Sequence, residues 1–328
     1  MDQNDVILEV LAAEERISPY IRQTYLEASP YFTELSGANV YFKCENLQHT
    51  GSFKARGALN KVLSLNESER AAGVVTASTG NHGAAVAYAL SRVGGQGIVF
   101  VPESAVHSKV EAIKRLGGEV RYHGADSVKT ENYARSYAAE HGLTLVPPYN
   151  DPQVIGGQGT VGLELLSQLP EIDAVFIAVG GGGLISGTAA YLKQFSPATR
   201  VIGCFPENSQ VMLQSVKAGR ILDLPSKPTL SDGTAGGVEA GAITFSLCRD
   251  LVDDYETVTE QEIRLNLRRF LQAQHMLIEG SAAVPIAALL KSPASFAGKN
   301  VVILLCGANI DPETLKNVLT ETSPERPI

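Results

Sequence analysis

What this 328-residue chain lacks narrows its function before any motif is read. No apolar run approaches the roughly 18 residues that a membrane-spanning helix needs, so no membrane partner is expected. Basic residues are outnumbered, 27 Lys and Arg against 35 Asp and Glu, for a net charge of −8. The basic surplus of a nucleic-acid binder is therefore missing. The four cysteines, Cys44, Cys204, Cys248 and Cys306, are scattered without a CxxC pair. That spacing excludes a disulfide scaffold and a cysteine zinc site. Histidines such as His107, His123 and His275 show no metal-ligand spacing, and no metal is expected. No GxxxxGK[ST] segment exists, which excludes a P-loop hydrolase. The GxGxxG dinucleotide fingerprint fails as well, because Ile185 stands where a last glycine should follow Gly180 and Gly182. Internal repeats, low-complexity tracts and long linkers are absent. The amino terminus, MDQNDVILEV, carries acids where a secretory leader carries basic residues, so a cytoplasmic protein is expected.

Hydrophobic residues make up 44% of the chain and charged residues 19%, enough to fill a sizeable core. The length corresponds to about two domains. Strand candidates are Val40–Cys44, Val74–Thr76, Gly97–Val101, Val120–His123, Leu143–Val146, Ala174–Val179, Val201–Phe205 and Val301–Cys306. Most are continuous apolar runs, the pattern of parallel strands covered on both faces. Helical periodicity fills Gly83–Arg92, Lys109–Leu116, Thr130–His141 and Gly183–Leu192 between them. Strand and helix alternating in this way predict an α/β fold with mainly parallel sheets flanked by helices.

Glycines gather where the predicted strands end: Gly51, Gly57, Gly80, Gly83, Gly156–Gly159 around Gln158, Gly180–Gly183, Gly236–Gly237 and Gly307. Ligands in open α/β sheets sit beyond the carboxyl ends of strands, so these turns suggest one site assembled from many loops. Gly180–Gly183 before Leu184 would present backbone N–H groups at a helix start, which suits a phosphate. A tight turn with close strand–helix packing uses the same residues. Lys54, in the segment ENLQHTGSFKARG beside Phe53, reads either as a partly desolvated Schiff-base lysine or as an ordinary surface lysine. Ser78, Thr79, Asn81 and His82 sit at another helix start, where capping and carboxylate binding share one geometry. Cys306, ending a strand, reads as core filler, nucleophile or ligand-facing thiol.

Taken together, ENLQHTGSFKARGA, STGNHG, GGGGL and CGAN, with GQGT and LIEGSA, resemble the pyridoxal-phosphate enzymes of the tryptophan synthase β-like fold (fold type II). Within that group the chain is most similar to the serine/threonine dehydratase and serine racemase family. The likeness spans nearly the whole chain, with the motifs in family order. It implies two domains, a large cofactor-binding one from residues 1–49 and 149–328 and a small mobile one from residues 50–148. It implies pyridoxal 5'-phosphate carried by Lys54, with Phe53 packed near the ring and Asn81 bonded to the ring oxygen. Gly180, Gly181, Gly182, Gly183 and Leu184 would wrap the phosphate, and Cys306 would face the pyridine nitrogen. Ser78, Thr79, Asn81 and His82 would hold the substrate carboxylate, with Lys54 moving the α proton. The implied reaction is loss of the β-hydroxyl of threonine or serine, followed by hydrolysis to a 2-oxo acid and ammonia. A homodimer or homotetramer is the family expectation.

The chain also departs from the family. Thr79 replaces the serine that eukaryotic-type serine racemases use as acid–base, which weakens the racemase alternative. Phe205 and Val211 stand where that branch carries acidic metal ligands, so no metal site is expected there. Feedback through a carboxy-terminal regulatory domain is not expected either, because the chain ends soon after Asn309. More distant alternatives are a nicotinamide-dependent oxidoreductase built on the glycine loops and a non-catalytic ligand sensor.

Overall fold

The computed structural model describes residues 1–125 and 127–320. Ten strands form two sheets: β1 (Leu26–Ala28), β2 (Asn39–Lys43), β3 (Val74–Ala77), β4 (Gly97–Val101), β5 (Glu119–Tyr122), β6 (Thr144–Leu145), β7 (Ala174–Ala178), β8 (Arg200–Pro206), β9 (Asp254–Val258) and β10 (Asn300–Leu304). The larger sheet has the order β1-β2-β10-β7-β8-β9 and the smaller β5-β4-β3-β6. Every pairing is parallel except β1 with β2. Helices flank both sheets, so the expectation of an α/β fold with mainly parallel sheets is met.

The central strands are buried because their sequences carry no polar face. Every residue of β7, AVFIA, and of β3, VVTA, is buried. The edges differ in chemistry. β9, DYETV, is largely half-buried, and β1 is a three-residue, mostly exposed strand. Neither shows the apolar run of a central strand, and the sequence reading missed both.

One expectation is overturned. Gly156, Gly157 and Gly159 do not end a strand; they lie inside the helix Pro152–Gln168, which starts at the Asp151 cap with proline in its first turn. Gly57 and Gly83 likewise lie in helices, Lys54–Ser64 and Asn81–Val93. Close helix crossings account for Gly57, Gly157 and Gly159, whereas Gly83 packs on the Ser78 carbonyl. A Cβ on Gly157 would come within 2.6 Å of the Arg56 carbonyl oxygen, and one on Gly159 within 2.9 Å of the Gly187 carbonyl oxygen. The helix that begins at Lys54 is thus held against the helix Pro152–Gln168, which in turn packs on the helix Gly183–Phe195.

A buried ionic cluster ties that first helix to the larger sheet. Arg56 donates to both oxygens of Glu45, from Nε at 2.8 Å and Nη2 at 2.7 Å, and from Nη1 to Glu164 Oε1 at 2.7 Å. Lys43 pairs with the other Glu164 oxygen and donates to the Thr24 carbonyl at 2.9 Å. Burial alone would raise the Glu45 carboxyl, but the Arg56 charge and its hydrogen bonds outweigh that and hold it below its usual range.

Candidate active site

A cleft of about 340 Å³ opens where strand ends of both sheets meet. It is lined by every site residue that the resemblance implied, Phe53, Lys54, Ser78, Thr79, Asn81, His82, Gly180–Gly183, Leu184 and Cys306, but not by Gly51, Gly57, Gly83, Gly156, Gly157, Gly159 or Gly307. Residues separated by about 250 positions are brought together because β3, β7 and β10 all point their carboxyl ends at this cleft, as open parallel sheets do.

Lys54 opens the helix Lys54–Ser64 and donates from Nζ to the Pro148 carbonyl oxygen at 2.7 Å. The ammonium lies 5.2 Å from the centroid of the Phe53 ring. Part of the side chain faces the cleft, but the charged end is enclosed by protein. Burial lowers its pKa from 10.5 to about 8, against the opposing influence of Cys306, Glu279 and Glu131. A larger share of this amine is therefore neutral near physiological pH than of a surface lysine.

The turn Gly180–Gly182 follows β7 and leads into the helix Gly183–Phe195. Gly182 sits at φ +87°, a left-handed conformation that suits glycine. A Cβ on Gly181 would lie 2.3 Å from the Tyr149 ring, and one on Gly180 would lie 3.0 Å from Thr234 Cα. Among the described residues, no hydrogen bond engages the N–H groups of Gly180, Gly181 or Gly182. Free N–H groups on a turn with no room for side chains, at the positive end of a helix, make a cradle fitted to a phosphate.

Opposite this cradle, the helix Asn81–Val93 begins at Gly80 with no side-chain cap, which leaves its first-turn N–H groups open toward the cleft. Ser78 Oγ accepts from the Gly80 N–H at 3.2 Å. The His82 ring is turned away from a simple ligand role. It is 3% exposed, and its Nε2–H donates to the Val146 carbonyl at 2.9 Å. Burial, and then the Lys54 charge, push its pKa down to about 3, so the ring is neutral. Nδ1 has no partner.

The residue that sequence reasoning missed is Glu279, 3% exposed at the start of the helix Gly280–Lys291. Asn81 Nδ2 donates to both of its oxygens, at 2.9 and 3.0 Å, and the Asn309 N–H donates to it at 3.0 Å. Asn309 Nδ2 in turn donates to Asn81 Oδ1, which fixes the Asn81 amide on both sides. The Cys306 thiol lies 3.9 Å from Glu279 Oε1. Burial pushes Glu279 up to about 7, partly offset by the Asn81 hydrogen bond. Burial, then the Glu279 charge, also push the Cys306 thiol up, so Cys306 stays protonated. The signal was present in the sequence, a single acid between Leu277–Ile278 and Gly280–Val284 that no surface helix would explain.

With this geometry in view, comparison with known proteins decides the family. The profile described as "Pyridoxal-phosphate dependent enzyme" matches residues 17–307. The chain belongs to that family. It is 40% identical to the L-threonine ammonia-lyase of Geobacter sulfurreducens, over 94% of this chain and 76% of the relative. It is 39% identical to the β-hydroxyaspartate dehydratase of Paracoccus denitrificans, over 94% of this chain and 97% of the relative. The solved structure of maize serine racemase superimposes with a TM-score of 0.90 at 35% identity, covering 95% of this chain and 96% of that one. The family is pyridoxal-phosphate dependent, and the residues of the cleft fit that cofactor: an enclosed lysine of low pKa, and a glycine cradle with open N–H groups. No helix among the described residues is long and apolar enough to cross a membrane.

Proposed function

We propose that this chain removes the β-hydroxyl and then the amino group of a β-hydroxy amino acid such as L-threonine or L-serine, giving a 2-oxo acid and ammonia. The observation that carries the reading is Lys54, enclosed and of lowered pKa, lining one cleft with the glycine cradle and the open helix start at Ser78–His82. Bound there, pyridoxal phosphate supplies the electron sink that makes the substrate's Cα proton acidic.

The chain's own residues do the rest. The N–H groups of Gly180–Gly183 and Leu184 hold the phosphate, and Phe53 packs near the ring. The Asn81 amide, oriented by Glu279 and Asn309, bonds the ring oxygen. Cys306 meets the ring nitrogen as a neutral thiol, which brings no fixed negative charge to stabilise a proton there. A cofactor held this way would supply a limited electron sink, which suits loss of the β-hydroxyl. Ser78 and Thr79, with the first-turn N–H groups of Asn81 and His82, hold the substrate carboxylate. Lys54, as the neutral amine, takes the Cα proton at Nζ.

Residues 50–148 form the smaller, mobile domain of this reading, closing over the remaining larger one to exclude water. Two ion pairs across the cleft support closure: Lys109 with Asp232 at 2.7 Å, and Arg135 with Glu239. A cytoplasmic homodimer or homotetramer completes the proposal, and the four free, buried cysteines fit a reducing compartment.

The second reading is racemisation, favoured by the Thr79 hydroxyl lining the same cleft as Lys54. One experiment separates the two. The holoenzyme is incubated with L-threonine or L-serine, and ammonia, 2-oxo acid and the D-enantiomer are measured together. Oxo acid with equimolar ammonia supports elimination. The D-enantiomer alone, rising in Thr79→Ser, supports racemisation, and no product from either substrate contradicts the assignment of threonine and serine as substrates.

A further inference from the structure

The elimination chemistry does not account for the charge balance along the cleft. Among the described residues, two cations line it, Lys54 and Lys109. Lys54 is committed to the cofactor. The charge of Lys109 is already met by Asp232, with Nζ 2.7 Å from Oδ2. Of the acids, Asp232 is taken by that pair, and Glu279 is held by Asn81 and Asn309 at the cofactor edge.

Glu131 differs from both. It stands on the helix Ser127–His141, lines the cleft and is exposed to it. It makes no hydrogen bond and no ion pair with any described residue. The nearby Arg135 bonds Glu239 through Nη2 and reaches Glu131 only through its charge. Glu131 and Lys54 line the same cleft, close enough for each charge to act on the other. Burial and then Glu239 raise the Glu131 carboxyl, with Arg135 and Lys54 opposing, and its carboxylate stands beside the reaction centre. A substrate with a second carboxylate would meet Glu131 and the cofactor phosphate with no free cation to receive it. A substrate ending in an ammonium would find its partner in place.

We infer that Glu131 is a specificity-determining residue, and that this cleft prefers a β-hydroxy α-amino acid whose side chain ends in a cationic group over a neutral one, and disfavours a carboxylate. The inference rests on the elimination reading above.

Three compounds of nearly equal size test it: threonine, threonine carrying an amino group on its methyl carbon, and β-hydroxyaspartate. Their side chains end in CH₃, CH₂NH₃⁺ and COO⁻. Ammonia release by the holoenzyme is measured for each. Binding of the unreactive analogues lacking the β-hydroxyl (2-aminobutyrate, 2,4-diaminobutyrate and aspartate) is followed by the change in cofactor absorbance. The expected order is cationic, neutral, anionic, with roughly tenfold or more between the first two, and a gap that shrinks as salt rises. Glu131→Gln should narrow that gap to less than about threefold, and Glu131→Lys should move aspartate ahead of 2,4-diaminobutyrate. Aspartate binding as tightly as 2,4-diaminobutyrate in the unaltered protein, or an unchanged ratio in Glu131→Gln, overturns the inference. If none of the three reactive compounds releases ammonia, the elimination reading fails, while the binding order of the analogues still decides the charge preference.

Discussion

Replacing Glu279 by glutamine tests whether the buried carboxyl behind Asn81 is as costly to ionise as its surroundings imply. In the folded protein its pKa is pushed to about 7 from an ordinary 4.5, with burial as the main cause. The fold therefore holds this proton more tightly than the unfolded chain does. Its stabilising contribution is fully present below about pH 4.5 and is lost as pH rises through about 7. Between about pH 5.5 and about pH 8 the linkage relation gives a loss of ~2 kcal/mol from this group alone. Glutamine cannot titrate, so Glu279→Gln should remove that slope. His82 works in the opposite direction. Its pKa of about 3 penalises the fold as pH falls below its ordinary 6.5, but it is common to both proteins and cancels in the comparison. Urea unfolding of the cofactor-free protein and the variant at the two pH values provides the measurement. The variant should gain ~2 kcal/mol relative to the parent on going from the acid to the alkaline condition. Stabilities that stay parallel within ~0.5 kcal/mol would refute the reasoning, and with it the account of how Asn81 is held.

Further predictions follow from the same geometry. The rate at which added pyridoxal phosphate attaches to the cofactor-free protein should rise with pH, pass its half-maximum near pH 8, where half of Lys54 is neutral, and level off about one unit higher. Stopped-flow absorbance reports it; a half-maximum near 10.5 contradicts the enclosed lysine. Gly181→Ala places a Cβ within 2.3 Å of the Tyr149 ring. Cofactor affinity, read by titration, should fall by about tenfold or more as the cradle is displaced. Arg56→Met leaves Glu45 buried without its bidentate partner and should cost ~3–5 kcal/mol of stability in urea unfolding. A loss below ~1 kcal/mol would show that the cluster relaxes freely.

How much of this was legible in the sequence depended on whether the deciding interaction is local. The strand Ala174–Ala178 declares itself because both its faces are covered, so no polar residue interrupts it. β9 carries Asp254 and Glu256 because it lies at an edge, and that alternation looks like a loop. The glycines of Gly156–Gly159 signal close backbone approach, and the structure shows exactly such approach, but between helices instead of at a ligand. Glycine records proximity without naming the neighbour. The cradle at Gly180–Gly183 was legible because an apolar strand and a helix bracket it directly. Glu279 and the Lys43–Glu164–Arg56–Glu45 cluster were not. Their partners lie up to about two hundred positions away, so even the apolar setting that marks Glu279 does not name what it bonds.

The central claim is that Lys54 carries pyridoxal phosphate in a cleft built for elimination. The most direct measurement is the absorbance spectrum of the purified protein with added cofactor, beside that of Lys54→Ala, followed by L-threonine in the same cuvette. A protein-bound Schiff base should give a band at roughly 410–420 nm that the variant lacks, and threonine should then yield oxo acid and ammonia. A spectrum without that band, or one that Lys54→Ala leaves unchanged, would contradict the assignment of Lys54 and the reaction built on it.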